Sequence, residues 1–201
     1  MSGIQIGRLL RATTTEFVVG CRVNQLEAPG FGSLVRVPLE KDWHTYGLIY
    51  DIAISDDGLV RQLVTAHGID EAVIADNRIN RTVPVEMSVL VVGYRQGDTI
   101  RHLLPPRPAL SLDMIYLCQQ NELVEFTGTG QFGYFRHLLR PTDAPVGELL
   151  AAHIAQADSA HKEAGDDEWG RKAAKELIVI LRDDYPTLMT VLSALGDAIP
   201  E

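Results

Sequence analysis

IQIGRLLRATTTEFVVGCRV (Ile4–Val23), GSLVRVPL (Gly32–Leu39) and TYGLIYDI (Thr45–Ile52) decide the fold of this chain. Read two residues at a time, they give short strands rich in Val, Ile, Leu, Phe and Tyr, punctuated by Thr, Asn, Pro and Gly. Strands are expected over Ile4–Ala12 and Glu16–Val23, joined by a turn whose Thr13 and Thr15 hydroxyls hold backbone groups. A loop over 24–31 leads into a strand over Gly32–Leu39, with Pro38 at an edge or an end because its ring cannot donate to a ladder. Lys41–His44 reads as a turn. Thr45–Ile54 reads as a long strand interrupted at Gly47, where a missing side chain lets a sheet coil. Asp56-Asp57-Gly58 is a turn signal, Leu59–His67 is ambiguous between strand and helix, and Ile69–Ala75 fits a short helix. PVEMSVLVVGY (Pro84–Tyr94) is continuous and β-branched, as a strand buried on both faces is. Gln96-Gly97-Asp98 turns it into a hairpin with Thr99–Leu104. Pro105, Pro106 and Pro108 make a stiff connector across one barrel end before Asp113–Cys118 closes the sheet.

The later chain changes period. Tyr134–Leu139, Val146–Ala164 and Trp169–Arg182 show helical spacing. Leu149, Leu150, His153, Ile154 and Ala157 lie along one face, and Ala173, Leu177, Ile180 and Leu181 along another. Asp166, Asp167 and Glu168 suit a helix N-terminus, and Pro186 separates a last helix over Thr187–Leu195. The division expected is a β-barrel over 1–120, a hinge with a short helix over 121–145 and a helical extension over 146–201. The fold class is an all-β barrel of about six to seven strands followed by a small α-helical region.

Composition sets outer bounds. The 201 residues are 46% hydrophobic and 22% charged, ordinary for a globular protein with a core to bury. The net charge of −9 is uneven: 1–145 holds 13 basic and 16 acidic residues, 146–201 holds 5 and 11. Such a surface repels phosphate, which disfavours indiscriminate nucleic-acid binding while leaving room for a local basic face. Cys21 and Cys118 each sit in an apolar run, as free thiols do in a reducing cytosol. The N-terminus lacks a long apolar core behind a basic flank, and MSVLVVGY is too short to cross a bilayer; a cytoplasmic protein is expected.

Taken in order, IGRLLRATTTEFVV, FGSLVRVPL, YGLIYDI, PVEMSVLVVGY and LLPPRPALSLDMIYLC resemble the HAS-barrel, the N-terminal β-barrel of HerA-type translocases and of the α and β subunits of F-type ATP synthases. The resemblance spans about residues 4–120 and rests on segment order. In those relatives the barrel precedes a P-loop motor and forms a ring. Here no glycine stretch carries the Lys-Ser/Thr pair of a phosphate-cradling loop, so the resemblance implies fold and assembly and carries over no catalytic residue.

Candidate sites are few. Gly128-Thr-Gly-Gln-Phe-Gly133 fits G-x-G-x-x-G. It lacks the following strand and ribose-binding acid of a dinucleotide site, Tyr134 stands where a P-loop needs lysine, and a hinge is expected instead. His44, His67, His102, His137, His153 and His161 never reach metal-ligand spacing and read as surface or partly buried structural residues. Arg78, Arg81, Arg95, Arg101 and Arg107 give the middle of the chain a basic excess, a possible interaction patch. No catalytic, cofactor-binding or metal residue is expected. The leading expectation is a non-enzymatic assembly or adaptor module that self-associates or docks on a separate P-loop ATPase, with no membrane partner. The other is a nucleic-acid accessory factor that binds through a basic barrel rim.

Overall fold

The computed structural model describes residues 3–23, 29–40, 42–54, 65, 71, 83–140 and 144–199. The Asp56-Asp57-Gly58 turn, the Leu59–His67 and Ile69–Ala75 segments (apart from residues 65 and 71), His67, Arg78 and Arg81 lie outside the described residues.

Among the described residues seven strands form one antiparallel sheet: β1 (Ile4–Ala12), β2 (Glu16–Val23), β3 (Leu34–Glu40), β4 (Trp43–Ile54), β5 (Val83–Gln96), β6 (Thr99–Arg101) and β7 (Met114–Leu117). The order is β2-β1-β7-β3-β4-β5-β6, and β2 also pairs with β5 from Glu16↔Leu90 to Val23↔Val83. That pairing closes six strands into a barrel and leaves β6 as an extra strand on the end of β5. Closure removes the exposed edges that an open sheet would present to other chains.

Local chemistry accounts for the curvature. Register shifts in β1, β3 and β4 mark bulges, which bend a strand and raise its twist. Gly47 sits at one of them, where an added Cβ would come 2.9 Å from the Leu90 carbonyl oxygen and collide with Val89. At the β1–β2 turn the Thr13 hydroxyl accepts from the amides of Thr15 and Glu16, as the sequence led us to expect. The expected Lys41–His44 turn is shorter, because Trp43 and His44 already pair with Gln96 and Arg95 in β4.

Two cores result. Inside the barrel Leu9, Val19, Val35, Ile49, Met87 and Ile115 are fully buried. Leu104 and Ala109 pack on the same cluster, so the proline connector does cross a barrel end. The second core lies outside the cylinder, where Leu34, Tyr46, Leu48, Leu90 and Val92 meet the helices. This explains why Pro84–Tyr94 reads as continuously apolar: Val85, Met87, Val89 and Val91 face inward, while Leu90 and Val92 face the helices.

The described helices are α1 (Gln120–Gly128), α2 (Phe135–Leu138), α3 (Val146–Glu163), α4 (Trp169–Ile180) and α5 (Tyr185–Ala198), with a 3-10 turn at Gly130–Phe132. Together the five helices hold as many residues as the seven strands, so the chain is a barrel joined to a substantial helical layer rather than an all-β fold with a small appendage. The apolar stripe expected on α3 is fully buried from Leu149 to Ala157. Pro186 falls at the first turn of α5 instead of before it, with the Asp184 carboxylate accepting from the Thr187 amide. Proline is tolerated there because that amide position needs no intrahelical partner.

Candidate functional site

Of the arginines expected to form a patch, Arg95, Arg101 and Arg107 are among the described residues. Arg95 is buried on the outer face of β5, where its Nη1 lies 2.9 Å from Glu125 Oε2 on α1 and its Nε donates to the Gly97 carbonyl oxygen. It also hydrogen-bonds Tyr46, whose phenol burial pushes up to about 12. Arg107 pairs with Glu40 and lies over the Trp43 ring. Arg101 is exposed on β6, opposite Tyr94. Arg95 is thus a strut between barrel and α1 and does not belong to a rim.

That strut has a neighbour. Arg36 on β3 and Glu122 on α1 approach to 2.7 Å, with side chains only 6% and 5% exposed. The guanidinium also lies over Tyr116 at 5.0 Å, and its Nη2 makes no hydrogen bond. Glu122 spends its other oxygen on the Gln119 amide, closing a capping box at the start of α1. Two charge contacts therefore fix α1 to the barrel wall.

Behind α1 lies a ring-packed junction. The Tyr134 ring meets His102 at 5.0 Å, Phe126 at 5.4 Å, Phe135 at 4.8 Å and His153 at 5.5 Å between centroids. His102, His137, His153 and His161 are buried, a correction to the expectation of surface or partly buried residues. Each has structural work. His153 joins the Gly32 carbonyl to the Tyr134 hydroxyl, His102 bonds the Phe126 carbonyl, and His137 bonds the His102 carbonyl. His161 bonds the Thr127 hydroxyl and stacks on Trp169 at 4.6 Å. Burial lowers the pKa of all four, that of His153 to about 4.

The glycine-rich segment belongs to this junction. Gly130 has φ +65°, and an added Cβ would stand 2.9 Å from His102 Nδ1. Its glycines serve a tight turn against an imidazole, and α2 after them has only four residues. Neither a phosphate cradle nor a βαβ unit is built here.

No protein-family model matches the chain, and no curated protein does.

Among the described residues no group of three or more His, Cys, Asp or Glu side chains could hold a metal ion, and no helix is long and apolar enough to cross a membrane. Cys21 and Cys118 are free and half-buried, and burial raises both thiols, so neither is primed as a nucleophile. The surface grooves are open. One of ≈ 480 Å³ runs along Leu139, Val146 and Thr187, and another of ≈ 520 Å³ along Phe31, Tyr50 and Ser88. In the first, the Thr187 hydroxyl donates to the Asp184 carboxylate at 2.7 Å, a contact that caps α5.

What stays unsatisfied is apolar surface. Ile178, Val179 and Ile180 end α4, and Tyr185 and Met189 begin α5; all five are exposed, Val179 at 58% and Tyr185 at 68%. Asp183 and Asp184 lie in the α4–α5 turn, where Asp183 pairs with Arg182 at 3.2 Å. A second apolar group stands on the barrel, where Leu110 and Leu112 are 71% and 67% exposed. Their loop is tied to β1 through the Leu112 amide and the Leu9 carbonyl, and Leu10 is exposed beside them. Arg8 and Arg11, both exposed, flank that group. Sequence periodicity could not find either patch, since the same residue types are buried elsewhere in both elements.

Proposed function

We propose that the protein is a non-enzymatic assembly module: a HAS-like barrel that self-associates through the apolar corner of α4 and α5. The observation that carries this reading is the exposed run Ile178–Ile180 with Tyr185 and Met189, because contiguous apolar surface in water marks an interaction site. A second copy is the occupant that fits. The corner and the Leu110–Leu112 group on the barrel are two separate exposed apolar patches on one chain, so one copy can offer its corner to the barrel patch of the next. A contact between two different patches is head-to-tail, and it closes into a ring or runs on as a filament. The ring of barrels in the resembled translocases agrees with this reading, and a separately encoded P-loop ATPase is the further docking partner it suggests.

Val179→Glu and Leu110→Glu should each reduce the assembly to single chains while leaving the circular dichroism spectrum unchanged, since both residues are solvent-exposed. Retention of the full assembly by both variants would contradict the interface.

The nucleic-acid reading loses support from Arg95 and Arg107, which are paired with Glu125 and Glu40. Titration of labelled single- and double-stranded oligonucleotides at two salt concentrations is expected to show no binding. Salt-sensitive binding would reinstate the accessory-factor reading.

A further inference from the structure

Three buried histidines hold the helices to the barrel through hydrogen bonds of their ring nitrogens. His153 Nδ1 lies 3.2 Å from the Gly32 carbonyl oxygen, which can only accept, so Nδ1 carries the proton. Its Nε2, 3.1 Å from Tyr134 Oη, then accepts from the hydroxyl. A second proton on Nε2 would make that hydroxyl the acceptor and leave the imidazolium charge fully buried. His102 donates from Nε2 to the Phe126 carbonyl at 3.1 Å, while Nδ1 is buried without a partner against Gly130. A proton placed there meets no acceptor. His137 donates to the His102 carbonyl, which also accepts from Arg136.

The surrounding charges reinforce this. Arg136 acts on His102 and His137, and Arg140 acts on His137, all disfavouring a further positive charge. On α1, Glu122 and Glu125 are engaged by Arg36 and Arg95. On α3, Asp158 is engaged by Lys162 and the Gly170 amide, and Glu163 by Gln120. His161 differs, because Asp158 and Asp166 favour its protonation and Lys172 opposes it, so it takes no part in the device.

We propose that His153 and His102 form an acid-sensitive latch: their ring partners are carbonyls and a hydroxyl with no carboxylate among them, so a proton added to either buried ring meets no counter-charge, and acid frees the α3–α5 layer while the barrel stays closed. The inference does not depend on what docks on that layer. The direction follows from linkage. Burial lowers the folded pKa of His153 to about 4, so its contribution is complete above the unfolded value and is lost as pH falls through that window.

Hydrogen exchange of the full chain at pH 7 and pH 5, corrected for intrinsic rates, tests this. Exchange over 146–163 should rise about 20-fold relative to 85–92, the ratio that a single such histidine gives. His153→Gln, which cannot titrate, should abolish most of that rise. The ring resonance of His153 in the unaltered protein should titrate together with opening, a readout that does not need the variant to fold. Equal acceleration of barrel and helices, or an unchanged acid response in His153→Gln, would overturn the latch.

Discussion

Glu122→Ala will lower stability by about 3–5 kcal/mol, because it leaves Arg36 charged and buried with no counter-ion. Glu122 is also the residue that closes the α1 capping box, so part of the loss comes from freeing the Gln119 amide. In a chain of this size the melting temperature should fall by roughly 10 °C. The double variant Arg36→Met with Glu122→Leu should recover much of that loss. It removes both charges together, and with them a buried Nη2 that makes no hydrogen bond. Thermal unfolding of the three proteins decides the matter. A double variant no better than Glu122→Ala would mean that the pair contributes through geometry, and not through avoiding an unpaired charge.

Phe126→Ala should cost about 3–5 kcal/mol, the usual range for truncating a fully buried aromatic residue. Phe126 is the one side chain of α1 whose ring touches Tyr46 on the barrel (4.9 Å), His102 (4.8 Å) and Tyr134 (5.4 Å). Its removal therefore opens a cavity between the barrel wall and the helical layer. Chemical denaturation should show an early phase for the helices, followed by the barrel. A single transition moved by less than about 1 kcal/mol would show that the junction collapses around the gap.

These two sites also show what the sequence could and could not reveal. The barrel was legible because β-strand alternation is a local signal: Val85, Met87, Val89 and Val91 point the same way whatever they pack against. The α3 stripe was legible for the same reason. Arg36, between Val35 and Val37, occupies an outward position in that alternation, and nothing nearby announces a partner far along the chain on α1. The helix itself went unread because its capping box opens on Gln119 in place of Ser, Thr, Asp or Asn. Burial of the histidines was half visible, as His153 stands within the apolar stripe of α3, whereas His102 and His137 are buried by contacts between distant elements. The expected arginine patch assumed that charge excess along the chain becomes charge excess in space. Arg95 shows that this step is not automatic, since its strand turns it toward a helix carrying Glu125, while Arg78 and Arg81 lie outside the described residues.

The reading of the chain as an assembly module rests on the corner formed by α4 and α5 being covered in solution. Light-scattering mass across a range of protein concentrations tests it most directly. The account predicts a multiple of the 22.1 kDa chain that falls toward a single chain on dilution. A mass of 22.1 kDa at every concentration would contradict it.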